Sequence, residues 1–255
     1  MTETLRVALV QRASTLDPAD NRAAVAAHTP DGTDLVVFPE AFQRDFGEPG
    51  SDLAPHAEPL DGPFADEVAR AAEAHATTVV AGMFETSPDP DRPWNTLVLR
   101  GSVPAAYRKI HLYDSFGYRE SDRVRAGEPE PVVVDVGGFM VGLMTCYDLR
   151  FPELGRLLAD AGAEVLVVPA AWVAGARKVE HWRTLARARA IENTAYVVAV
   201  GQPGPRYTGH SIVVDPWGDV VAEAGAEPET LTATLTRDRL DEARHTNPSL
   251  LNRRL

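Results

Sequence analysis

The sequence predicts an α/β fold, and three observations carry that expectation. Apolar runs of strand type recur from one end of the chain to the other, stretches of helical period fall between several of them, and most of the runs read as buried rather than half-exposed. The 255 residues, 44% of them hydrophobic, suffice for a substantial core. No Ser/Gly-rich linker or block of like charge divides them. The reading is therefore one domain over 1–255, with its core at about 5–240 and a tail at 241–255.

Residues 5–10 (LRVALV) are the first apolar run, and the Ala-rich stretch 21–28 after it is helical in type. Residues 35–38 (LVVF) are a second buried strand, stopped by Pro39 and followed at once by Glu40. A carboxylate placed there is held at a sheet edge, although an acid in a solvated loop would read the same way. Residues 66–75 form an amphipathic helix and 77–83 (TTVVAGM) a third buried strand. Strands at 94–100 and 103–109 flank a Gly101-Ser102 turn, and Lys109 closes the second; a strand-end lysine by itself is ordinarily solvated. The stretch 111–125 lacks a clean period, carries Glu120, and reads as an irregular functional loop.

A hairpin at 131–136 and 139–145, about Gly137-Gly138, delivers Cys146 to a bend, and a helix follows at 151–161 with Pro152 in its first turn. Residues 164–168 (EVLVV) are a buried strand ended by Pro169. The longest helix spans 178–195, with Trp182, Leu185, Ala186 and Ile191 close to one face. Further strands lie at 196–200, 211–215 and 219–222, an alternating outer strand at 231–235, and a short helix and tail from Arg237 onward.

Composition narrows the function. A formal net charge of -12 repels nucleic acid and anionic membranes, so neither is expected as a partner. The single cysteine excludes an internal disulfide framework and Cys-rich metal sites. No stretch approaches 18 apolar residues and the first residues lack a basic segment followed by an apolar one, which reads as a soluble, cytoplasmic protein. There is no Walker A or G-x-G-x-x-G pattern for a nucleotide, and Ser211 in GHSIV lacks the second glycine of a nucleophile elbow.

Cys146 then stands out. A sulfur at a strand end beside a helix N-terminus is expected to favour the thiolate, an activated-nucleophile geometry, whereas a lone cysteine without partners is ordinarily a small buried hydrophobe. Partners exist: Glu40, Lys109 and Glu120 each lie near a strand end or in a loop between strands. The segments VVFPE at 36–40, YRKIHLYD at 107–114, YRES at 118–121, MTCYDLRFPE at 144–153 and GHSIVVDPWG at 209–218 resemble those of the nitrilase superfamily of carbon-nitrogen hydrolases, and the likeness runs from about 5 to 240.

That resemblance implies a four-layer αββα sandwich of two mixed six-stranded sheets and an amidase that needs no cofactor and no metal. It makes Cys146 the nucleophile, Glu40 the general base and Lys109 the oxyanion-holding cation, with the backbone N–H of Tyr147 as second donor. Glu120 would orient Lys109 and the substrate. Arg150 resembles an arginine that contacts a substrate carboxylate, and an ion pair with Asp148 or Glu153 is its alternative. Tyr147 shapes the pocket, Trp172 is a pocket wall or a core aromatic, and Asn95 and His210 support the site through hydrogen bonds. CYDLRFPE resembles the amidase branches, which points to small carboxylate-bearing amides such as ω-amides of 2-oxo acids or deaminated glutathione, with release of ammonia. N-carbamoyl amino acids or nitriles are the alternative substrates, and a non-catalytic binding module is the alternative class. The resemblance also implies a homodimer paired through the helices at 151–161 and 178–195.

Overall fold

The computed structural model describes residues 3–254. In chain order the first half is β1 (Thr4–Gln11), α1 (Pro18–His28), β2 (Leu35–Val37), α2 (Pro63–Ala74), β3 (Thr78–Glu85), β4 (Trp94–Arg100) and β5 (Ala105–Arg108). A small ribbon, β6 (Asp114–Ser115) and β7 (Tyr118–Arg119), leads into β8 (Val133–Val136), β9 (Phe139–Leu143), α3 (Pro152–Asp160) and β10 (Val165–Ala170). The remainder is α4 (Lys178–Asn193), β11 (Tyr196–Gly201), β12 (Ile212–Val214), β13 (Val220–Glu223), β14 (Glu229–Thr236) and α5 (Arg237–Thr246).

Two six-stranded sheets result, ordered β14-β1-β2-β3-β4-β5 and β13-β12-β11-β10-β9-β8. In each, three neighbouring strands run parallel (β1, β2, β3 and β9, β10, β11) and antiparallel strands flank them. Leu5, Val7, Leu9, Leu35 and Val37 share one core with Val141, Leu143, Val165 and Val167 of the other sheet. The alternate residues Ala8, Val10, Val36 and Val79 pack under Val25 of α1 and Phe64 and Val68 of α2. Leu154 and Leu158 of α3 and Trp182 and Ala186 of α4 cover the second sheet. The architecture is the expected αββα sandwich, and strands covered on both faces account for the uniformly apolar runs.

The boundaries depart from the sequence reading where caps and pairing intervene. α1 begins at Pro18 because Asp17 accepts from Ala19 N at 2.8 Å, and α2 begins at Pro63, so each helix opens on a proline that has no N–H to leave unpaired. Pro169 does not end β10. Val167 O accepts from Met144 N on the β9 side and Ala170 O from Gln202 N on the β11 side, so Pro169 faces β9, which has stopped pairing by then. A missing donor there costs no ladder bond. The stretch 111–125, expected to be irregular, holds the β6–β7 ribbon and a 3₁₀ turn at Glu120–Asp122. On α4, Trp182 and Ala186 are buried, but Ile191 is exposed. Among the described residues no helix is long and apolar enough to cross a membrane.

Candidate active site

The ends of the parallel strands converge on one edge of the sandwich, the position where open α/β sheets place their ligands. Glu40 follows β2, Lys109 follows β5, Cys146 follows β9, and the loop after β10 carries Ala171 and Trp172. Glu40 is brought within reach by Gly82 of β3: a Cβ there would lie 2.7 Å from Glu40 Cα and collide with the Ala41 backbone. Lys109 N donates to Asn95 O at 2.8 Å, which fixes the lysine beside the first residues of β4.

All three charged side chains are at most 2% exposed. Lys109 Nζ donates to Glu40 Oε1 at 2.9 Å and to Glu120 Oε2 at 2.8 Å. Asn95 Nδ2 bridges the same carboxylates, at 2.8 Å to Glu40 and 3.1 Å to Glu120. Glu40 Oε2 accepts from Ala171 N at 2.7 Å and Glu120 Oε2 from Tyr113 N at 2.7 Å. Burial opposes the ammonium, but Glu120 and Glu40 outweigh it and hold the Lys109 pKa well above the ordinary lysine value. Lys109 therefore stays a cation throughout the neutral range.

Cys146 has φ of 48°, a left-handed conformation that costs a side-chain-bearing residue about 1–2 kcal/mol. It opens a single 3₁₀ turn, Cys146–Arg150, and that turn is fastened by Asp148, whose side chain is fully buried. Asp148 accepts from Thr145 N at 2.9 Å, from the Tyr107 hydroxyl at 2.6 Å and from His111 N at 3.0 Å. The turn bearing the sulfur is thereby joined to the segment bearing Lys109. The expectation of a resting thiolate is corrected by these surroundings. Burial and the Glu40 carboxylate push the thiol well above its usual range against the opposing pull of Lys109, and α3 starts only at Pro152, too far on for its terminus to help. The sulfur therefore keeps its proton, with the Glu40 carboxylate close enough to disfavour its loss.

These groups line a cavity of about 800 Å³ whose wall includes Tyr113, Phe116, Tyr147, Arg150, Trp172 and Lys178. A thiol, a carboxylate facing it and an ammonium beside both are the set that acyl transfer to sulfur requires. The model of the carbon-nitrogen hydrolase family matches residues 6–245. The chain belongs to that family. A deaminated glutathione amidase of Escherichia coli O157:H7 is 43% identical over 224 residues, covering 86% of this chain and 84% of that one. A 2-oxoglutaramate amidase of Paenarthrobacter nicotinovorans is 41% identical over 204 residues, 75% of this chain and 67% of its own. The crystal structure of a CN-hydrolase superfamily protein from Xanthomonas campestris, which carries an arsenic adduct in its active site, superposes with a TM-score of 0.88 at 29% identity, covering 99% and 98% of the two chains. This carbon-nitrogen hydrolase is thus an enzyme acting on C–N bonds.

Around the central groups the outcome is mixed. Asn95 supports the site as expected, and Tyr147 lines the cavity edge-on to Tyr113. Trp172 lines the cavity while packing 5.3 Å from Trp182. Arg150 forms no ion pair with Asp148 or Glu153 among the described residues, because Asp148 is taken up by Tyr107 and His111; its guanidinium lies 4.8 Å from the Trp172 ring centre instead. His210 does not support the site. Its carbonyl accepts from Trp182 Nε1 at 2.7 Å and its ring turns toward Glu223, away from the cavity. Two contributors escaped the sequence reading. Gln202, at the end of β11, donates to Glu40 O at 2.9 Å, and Lys178 lies in the cavity wall. Lys178 had left a signal: it is a cation at the first position of a helix, the end where the dipole disfavours it.

Because the Glu40 charge is one cause of the raised thiol pKa, Glu40→Gln should lower it. Alkylation of Cys146 by iodoacetamide, followed by intact mass, should rise at lower pH in the variant than in the wild type. Coincident rate-against-pH profiles would contradict the coupling of these two groups.

Proposed function

We propose that this enzyme hydrolyses the amide of a small substrate whose acyl half carries a carboxylate, through a thioester on Cys146. The observation that carries the reading is a cavity with the Glu40, Lys109, Glu120 and Cys146 cluster at its base and, in its wall, the guanidinium of Arg150, which pairs with no carboxylate among the described residues. Glu40 takes the thiol proton as sulfur attacks the scissile carbonyl, and Lys109 Nζ with the backbone N–H of Tyr147 receives the oxyanion. Glu40 then returns the proton to the departing amine and afterwards deprotonates the water that cleaves the thioester. Glu120, with Asn95, keeps Lys109 aimed; Tyr147 and Trp172 wall the substrate in, and Arg150 meets its carboxylate.

The relatives' substrates, deaminated glutathione and 2-oxoglutaramate, share one acyl group, 2-oxoglutaryl, and differ in the amine that leaves. Both would give the same thioester. The leaving amine is ammonia from the second and cysteinylglycine from the first, so release of ammonia applies to only one of them. A cavity of about 800 Å³ is far larger than a five-carbon amide needs and supports the peptidyl amide as the preferred substrate. The purified protein should release cysteinylglycine from deaminated glutathione and, more slowly, ammonia from 2-oxoglutaramate. Cys146→Ala should abolish both with its circular dichroism unchanged, and Lys109→Ala or Glu40→Gln should lower kcat about a hundredfold or more. An active, well-folded Cys146→Ala would contradict the assignment.

We also propose a homodimer that works in the cytoplasm, where a lone nucleophilic thiol is kept reduced. Leu157 of α3 and Ile191 of α4 are exposed apolar side chains on the two helices expected to pair, which supports pairing through them. Light scattering at micromolar concentration should give twice the chain mass, and the mass of a single chain would count against it.

A further inference from the structure

Four cations line the cavity, and two of them have counter-charges. Lys109 lies between Glu40 and Glu120, and Arg206 is 3.1 Å from Asp45. Arg150 and Lys178 have none among the described residues. Lys178 is only 8% exposed, and the protein partner of its Nζ is the Tyr113 hydroxyl at 3.2 Å. The ammonium sits over aromatic faces, 4.3 Å from the Phe116 ring centre, 5.3 Å from Tyr113 and 5.8 Å from Trp172. Its backbone is fixed as well, since Trp172 Nε1 donates to Lys178 O at 3.0 Å.

No carboxylate among the described residues offsets the charge of this lysine. Burial and the neighbouring Arg150 push its pKa below the ordinary lysine value, and it opens α4 at the positive end of the helix dipole. Aromatic faces attract a cation but carry no net charge to neutralise it. A side chain chosen for packing alone would be apolar here, because an unpaired buried charge is costly and its replacement by a hydrophobe of similar volume is often stabilising. What the free protein lacks is an anion, and the two unpaired cations both lie beside the Trp172 ring, in the wall of the cavity that holds Cys146.

We propose that Lys178 is a second anion-binding residue, gripping the substrate carboxylate together with Arg150, so that the site selects anionic over neutral acyl groups at the expense of the stability of the free protein. The inference rests on the reading that the cavity takes a carboxylate-bearing amide. It adds a residue that sets specificity and assigns it a cost that a purely structural lysine would not have.

The test uses Lys178→Met, with Lys178→Gln as a second variant should the first fold poorly, and 2-oxoglutarate as the probe, because its binding is read without turnover. By calorimetry the variant should bind 2-oxoglutarate ten- to a hundredfold more weakly than the wild type, and its unliganded melting temperature should be higher. KM for 2-oxoglutaramate should rise by a similar factor, and the preference for 2-oxoglutaramate over the neutral amide valeramide, read as the ratio of their kcat/KM values, should fall about tenfold or more. If the wild type binds 2-oxoglutarate and hydrolyses its amide but the variant matches it in both, the inference on Lys178 fails alone. If the wild type neither binds 2-oxoglutarate nor distinguishes its amide from valeramide, the carboxylate reading falls and this inference with it.

Discussion

One ammonium held dry between two carboxylates is the constraint on which this structure turns. Lys109, Glu40 and Glu120 together carry a charge of about -1 in a region from which water is nearly excluded. Taking away Lys109 would leave two buried carboxylates without their counter-charge, at about 3–5 kcal/mol. The surrounding donors are accordingly spent on the carboxylates: Asn95 bridges both, Ala171 N holds Glu40, and Tyr113 N holds Glu120. The same charge explains why the sulfur keeps its proton. Ionising Cys146 outright would add a second net negative charge, whereas passing its proton to Glu40 leaves the total unchanged. In the proposed reaction the base is thus adjacent to the nucleophile and the step requires no net charge to enter the site.

The sandwich supplies this cluster by converging two sheets on one edge. Glu40 comes from one half of the chain and Cys146 from the other, each three residues past the end of a strand of its sheet's parallel set. Buried polar side chains tie the two halves together there. Asp148 joins the turn of Cys146 to the segment of Lys109, and Gln202 reaches from β11 to the carbonyl of Glu40. Such ties fix the relative position of groups that are 106 residues apart in sequence, with far less freedom than loops alone would allow.

Legibility from sequence followed the range of the interaction. Buried strands, the break at Pro39 and the placement of Glu40, Lys109 and Cys146 at strand ends are local patterns, and they were readable. Pro169 misled because a proline ends a strand only if its missing N–H would have been paired, and that depends on where β9 stops. The protonation of Cys146 was misjudged for a similar reason: the helix is visible in sequence, while the burial and the Glu40 carboxylate that overrule it come from the fold. Arg150 offered two nearby acids, Asp148 and Glu153, and pairs with neither among the described residues; that Asp148 is taken up by Tyr107 and His111 depends on the fold. His210 sits in a segment that resembles the family, yet its side chain faces Glu223, a neighbour that only the β12–β13 pairing brings near.

The most direct test of the central claim is rapid-quench intact-mass spectrometry during turnover of deaminated glutathione and, separately, 2-oxoglutaramate. The account predicts the same 2-oxoglutaryl adduct from both amides, mapped to the Cys146 peptide and absent from Cys146→Ala. Two different adduct masses, an adduct on another residue, or steady turnover with no covalent species would contradict it.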